Sequence, residues 1–122
     1  MSFVTSLRAT VAAVALLGAA EAHAAGAIAI GSCAAYGYAN DQPTVAMAQK
    51  IALANCSGNC SQVVTTRKGC VAFAIDGHKP CGPLGFANAP RLGAAQNTAL
   101  KFCYRNGGKD CVIRAWICDV KG

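Results

Sequence analysis

Beyond residue 24 the chain contains no glutamate, a single histidine (His78) and only four acids, Asp41, Asp76, Asp110 and Asp119. A carboxylate pair for glycoside hydrolysis would have to come from those four, two of which lie near the C-terminal end, so that chemistry is poorly served. No Gly-x-Ser-x-Gly elbow surrounds Ser32, Ser57 or Ser61. The apolar run from Ala9 to Ala20 falls well short of the roughly 20 residues of a membrane-spanning helix, and no second such run follows. Basic residues never stand five or six in a row, which weighs against a nucleic-acid-binding arm. Linkers and low-complexity tracts are missing as well, so the sequence marks no boundary between folded domains.

What is present begins with a leader. "MSFVTSLRATVAAVALLGAAEAHA" has a short polar start with Arg8, an apolar stretch, and a small-x-small end at Ala22-His23-Ala24, the layout of a secretory signal peptide. Residues 1–24 are therefore expected to be removed, leaving residues 25–122 as one small periplasmic or secreted domain with a limited core. Cys33, the first cysteine after the cleavage site, lies several residues in, so no lipid anchor is expected at the new N-terminus. All eight cysteines (Cys33, Cys56, Cys60, Cys70, Cys81, Cys103, Cys111 and Cys118) lie beyond the leader. In an oxidising compartment such density reads as disulfides that compensate for a small core. Ten lysines and arginines stand against the four aspartates there, a net charge of +6. That balance suits anionic envelope polymers, anionic lipid or nucleic acid, and equally plain solubility.

The chain repeats itself. "GYANDQPTVAMAQKIALANC" (Gly37 to Cys56) aligns with "GFANAPRLGAAQNTALKFC" (Gly85 to Cys103) after one deletion near the prolines. Outward from there, Cys33 matches Cys81, "AIAI" from Ala27 resembles "AFAI" from Ala72, Cys60 matches Cys111, and Cys70 is set against Cys118. Two copies at a period near 47 residues are too few for a solenoid and suggest one domain with an internal pseudo-twofold, its copies spanning about 26–69 and 70–118.

Within each copy, Val45, Ala48, Ala52, Leu53 and Cys56 and their counterparts fall on one helical face. Pro43 and Pro90 sit where those helices should begin. Segments 26–31, 35–40, 60–66, 70–75, 84–88 and 111–117 read as short strands bounded by turn residues. The expected fold is α+β: two β-β-α-β pseudo-repeats, with two helices packed on a mainly antiparallel sheet of about six strands, stapled by disulfides. Eight cysteines allow 105 pairings. The pseudo-twofold favours symmetric sets, such as local bridges Cys56–Cys60 and Cys103–Cys111 with cross-repeat bridges Cys70–Cys118 and Cys33–Cys81.

Taken together, "GAIAI", the Gly-Tyr strand leading to an alanine-rich helix, Cys60 to Val64, "GCVAFA" from Gly69, and "CVIRAWIC" from Cys111 to Cys118 resemble the bacterial secreted proteins grouped as domain of unknown function 4189. The likeness covers Ala25 to about Lys121 and implies an exported, disulfide-held α+β domain; it brings no catalytic residues. Cys33 and Cys81 depart from the family's usual pattern, and they do so at equivalent positions.

Other chemistry in "CSGNC" (Cys56 to Cys60) fares worse than a bridge. Zinc takes about four ligands in close pairs, but seven residues separate the matching Cys103 and Cys111. A reactive dithiol favours a helix N-terminus, and Cys56 is expected at a C-terminus. No metal or cofactor is expected. His78, in "DGHKP", could join Asp76 and one of the three serines in a hydrolase triad, yet Asp-Gly and Pro80 describe a solvated turn.

Aromatic residues are expected mainly in the core. Tyr36 and Tyr38 share a strand face and would form a ligand platform if that face is open. The preferred recognition patch is Lys101, Tyr104, Arg105 and Lys109, at the end of the second helix and in the loop beyond. The expected function is an exported noncatalytic module that binds an anionic envelope component or a partner protein, with a secreted effector as one variant of that reading; the alternative is a small secreted hydrolase using His78.

Overall fold

Alternating small and large residues shape the central strand of each half. The computed structural model describes residues 24–119, so the expected leader, but for Ala24, lies outside the described residues. In β1 (Ala25–Gly31), Ala25, Ala27 and Ala29 alternate with Ile28 and Ile30; in β4 (Gly69–Asp76), Cys70, Ala72 and Ala74 alternate with Val71, Phe73 and Ile75. Period-two geometry sends the two sets to opposite faces, and both strands are buried throughout.

The small faces receive helices. Helix α1 (Val45–Ala54) lays Ala48 and Ala52 on the alanines of β1, and α2 (Leu92–Arg105) lays Ala95, Ala99 and Cys103 on Cys70, Ala72 and Ala74. The large faces meet each other, so that Ile28, Ile30, Val71, Phe73, Ile75 and Ile117 form one buried cluster between two sheets. Burying each such side chain stabilises by roughly 1.5–3 kcal/mol, whereas alanine has little to bury. The inter-sheet layer is therefore the main source of apolar stability.

Around those strands the chain forms two β-β-α-β units with the same strand order. The first comprises β1, β2 (Tyr36–Gln42), α1 and β3 (Cys60–Arg67), ordered β2-β1-β3; the second comprises β4, β5 (Lys79–Ala89), α2 and β6 (Cys111–Asp119), ordered β5-β4-β6. All pairings are antiparallel. The α+β fold is as expected from sequence, and its six strands divide into two three-stranded sheets stacked face to face. At the edges, β2 lies against β6 and β3 against β5. Strand β5 is longer than the expected 84–88 because its antiparallel pairing runs back to Lys79, opposite Asp76.

The repeated Gly-aromatic-Ala-Asn motif now has a reason. A Cβ on Gly37 would stand 2.3 Å from the Ala52 carbonyl oxygen, and one on Gly85 would stand 2.3 Å from that of Ala99. Helix backbone approaches strand backbone that closely only where a side chain is missing. The prolines fall just ahead of the helices: Thr44, after Pro43, is the N-cap of α1 and accepts the Met47 amide at 3.0 Å, and Arg91, after Pro90, holds the same place for α2.

Four disulfides join Cys33–Cys81, Cys56–Cys60, Cys70–Cys118 and Cys103–Cys111. One expectation is corrected. Cys70–Cys118 does not cross between the units, since Cys70 and Cys118 are directly opposed residues of β4 and β6 within the second sheet. Their places in the first sheet, by register, are Ala25 and Arg67, so these two cysteines are not counterparts of one another. Of the four bridges, only Cys33–Cys81 links one unit to the other.

Candidate functional site

Between the stacked edge strands β2 and β6 lies an open cleft of about 640 Å³. It runs into a second hollow of about 580 Å³ over β2, the two sharing Tyr36, Tyr38, Asn40 and Arg114. Tyr36 and Tyr38 lie opposite Ile30 and Ile28 of the central strand and overhang the inter-sheet layer. Tyr38 is 50% exposed and Trp116, on the β6 side, 51%. The face expected as an aromatic platform is thus open. Core packing was expected for Phe73, Phe102 and Trp116; Phe73 is fully buried, but Trp116 and Phe102 are exposed, because β6 is an edge strand and Phe102 lies on the rim of α2.

A β-bulge aims the cleft's cation. Phe73 pairs with Ala115 and Ala74 with Ile113, leaving Arg114 as the extra residue of β6. Its Nε donates to the carbonyl of Ala34 at 3.1 Å, and its guanidinium carbon lies 5.0 Å from the centroid of Tyr36, within cation–π range. Ala34 and Cys33 form the turn between β1 and β2 with φ of 67° and 56°, a left-handed conformation unusual for residues with a side chain. At the far end of the cleft the Asp41 amide donates to the buried carboxylate of Asp119. The two edge strands are therefore tied at both ends, with the aromatic residues, Asn40 and Gln96 on the walls between.

The histidine cluster is a folded turn. Asp76, 4% exposed, accepts the backbone amides of Lys109 at 3.1 Å and His78 at 2.9 Å. Those donors, Lys109 first, hold its carboxyl below the ordinary aspartate value of 3.8. His78 Nε2 lies 2.6 Å from Asp110 Oδ2 on the exposed surface. Asp76 therefore serves the backbone and not the imidazole. Ser32, Ser57 and Ser61 do not line the small cavity beside His78, and Ser57 instead accepts the Tyr36 amide at 3.2 Å. The triad that a hydrolase would need is not assembled. Among the described residues no group of histidines, cysteines or acids is placed to hold a metal ion.

Lys101, Tyr104, Arg105 and Lys109 are all exposed. Lys101, Tyr104 and Arg105 lie on the last turns of α2, where Arg105 covers the ring of Phe102 at 5.3 Å. Lys109 is held apart in the following loop by its amide bond to Asp76 and by the neighbouring Cys103–Cys111 bridge. Lys109 borders the small cavity beside His78.

Sequence reasoning did not single out Arg114, Trp116, Asn40 or Gln96. The signal was in the repeat: register places Trp116 where the first unit has Thr65, and such a difference at matched sites marks a residue that the framework does not require.

Residues 25–118 match the model of the family described as Domain of unknown function (DUF4189). The chain belongs to this family. It is also similar to a solved structure, the NMR structure of Rv1813c from Mycobacterium tuberculosis, with 30% sequence identity and a TM-score of 0.57 over 78% of this chain and 74% of that one. No curated protein matches the chain. The chain's four disulfides suit an oxidising, extracytoplasmic compartment. No helix among the described residues is long and apolar enough to cross a membrane.

Proposed function

We propose that this family member is an exported, noncatalytic binding module whose recognition surface is the cleft between β2 and β6. It contacts an anionic component of the envelope or a partner protein. The observation that carries this reading is Arg114, an exposed cation set on a bulge and braced by the Ala34 carbonyl and the Tyr36 ring beside half-exposed Tyr38 and Trp116. Bulges of this kind re-aim a side chain, and convergent aromatic and polar groups in a concavity are the usual make-up of a ligand site.

The leader-like N-terminus and the disulfides support export. The basic end of α2, with Lys101, Tyr104, Arg105 and Lys109, adds salt-sensitive attraction for the same anionic partner, in keeping with the net charge of +6.

Retention of the folded domain on immobilised extract of its own cell envelope tests the reading. The double variant Arg114→Gln, Trp116→Ala should lose most of its retention, while a double alanine variant of the exposed Lys50 and Arg91 should keep it. Equal retention of the two variants would remove the cleft from the function.

A further inference from the structure

Each position on the cleft's two edge strands can be compared with the opposite side of the sandwich, where β5 lies against β3. Tyr36 and Tyr38 correspond by register to Leu84 and Phe86, and Trp116 corresponds to Thr65. On that opposite side, Phe86 and Leu84 pack into the inter-sheet cluster, and Asn88 Nδ2 donates to the Thr65 carbonyl at 2.9 Å, tying strand to strand. On the cleft side Tyr36 packs on the same cluster as Leu84 does, whereas Tyr38, Asn40 and Trp116 are exposed. Arg114 has no register counterpart, because the bulge of the first sheet falls instead at Ser61. The same architecture is thus built with leucine, phenylalanine and threonine at one edge and with tyrosines, tryptophan and an added arginine at the other. Packing of the inter-sheet layer accounts for Tyr36 but not for the exposed Tyr38, Trp116 and Arg114.

Resting on the reading of this cleft as the recognition surface, we propose that it takes a segment of an acidic glycan, a polysaccharide whose sugar rings carry carboxylates. Sugar rings offer an apolar C–H face rimmed by hydroxyls. Half-exposed Tyr38 and Trp116 supply flat apolar surfaces of matching kind, and the side-chain amides of Asn40 and Gln96, on the same walls, supply donors and acceptors for hydroxyls. Arg114 spends Nε on Ala34 and keeps its two terminal nitrogens for a carboxylate, the planar partner that a guanidinium fork fits best. From residue 36 to residue 40 the β2 wall extends about 13 Å at about 3.3 Å per residue, the reach of a short oligosaccharide. An extended peptide is served less well. It would add to the free edge of β6 through a regular backbone ladder, and the bulge at Arg114 interrupts that ladder in mid-strand.

Trp116 is the only tryptophan of the chain, so its fluorescence reports occupancy directly. The probes are a galacturonate hexamer, the same hexamer with its carboxylates reduced to alcohols, and a polyglutamate peptide of equal charge. The hexamer should change Trp116 emission saturably. By calorimetry, Arg114→Gln and Trp116→Ala should each weaken its binding at least tenfold, and Arg114→Gln should leave the feebler binding of the reduced hexamer unchanged. Because both residues are exposed, the folded state of each variant is checked by its unchanged disulfides and circular dichroism; Tyr38→Ala serves as a third variant with the same expected loss. Polyglutamate binding as tightly, with the same dependence on Arg114 and Trp116, would overturn the glycan and leave the cleft as a recognition surface. Hexamer binding indifferent to all three substitutions, or no response at all, would overturn the assignment.

Discussion

Arg114 Nε and the Ala34 carbonyl meet at 3.1 Å across 80 residues of sequence. The acceptor belongs to a turn whose other left-handed residue, Cys33, is bonded to Cys81 of the second unit. The one disulfide between units therefore fixes the turn that braces the cleft's arginine. Replacing Cys33 and Cys81 together by serine should weaken ligand retention about as much as Arg114→Gln, even at temperatures where the domain remains folded. Retention unchanged in the folded double variant would show that the bridge serves stability alone.

The bridges should differ in their thermodynamic weight. Cys70–Cys118 closes a separation of 48 residues and Cys56–Cys60 a separation of 4. Chain-entropy scaling makes the first worth about 4 kcal/mol and the second about 2 kcal/mol. Urea midpoints of the two double-serine variants should follow that order.

Acid stability should depend on Asp76. Its carboxyl is held below 3.8 by the Lys109 and His78 amides. A depressed folded-state value means that the stabilisation is complete above the unfolded value and fades as pH falls below about 4, through the folded value. Asp76→Asn should lower stability at neutral pH and flatten its dependence on pH below about 4. Urea unfolding across that range gives the measurement, and an unaltered acid limb would contradict the assignment.

Backbone proximity predicts an asymmetric response to small changes. Gly85→Ala would drive a Cβ into the Ala99 carbonyl and the Cys103 amide, costing about 3 kcal/mol at the upper end of overpacking. Lys68→Gly relieves an exposed residue held at φ 57° and should stabilise by about 1 kcal/mol. Thermal unfolding of the two variants should move in opposite directions.

Much of this architecture was legible in the residues. The "AIAI" and "AFAI" stretches encode strands buried on both faces, and the alanine-rich helix faces specify what covers the smaller side. Sequence did not show that the large faces of the two strands pack on one another, since alternation states which residues share a face and not which face they meet. The split into two sheets, and the placing of Cys70 opposite Cys118, follow from that packing. Tyr36 and Tyr38 were readable as a platform because period-two alternation is local. Arg114 was not, because a bulge is a feature of register with a partner strand, and Trp116 in an apolar run looks like core until β6 proves to be an edge.

Charge should separate the two basic surfaces. Reversal of Lys101, Arg105 and Lys109 together should reduce retention on an anionic matrix more than reversal of Lys50, Lys68 and Arg91, and the difference should vanish as salt shortens screening below about 8 Å. The loss caused by Trp116→Ala should persist in salt, since stacking is not screened.

The most direct measurement is amide and indole chemical-shift mapping of the labelled domain titrated with the galacturonate hexamer. The expected shifts are confined to Tyr36 through Asn40, Arg114 through Cys118 and the Trp116 indole, and saturate together. Shifts concentrated between Lys101 and Lys109, with the β2 and β6 edges silent, would contradict the assignment of the cleft.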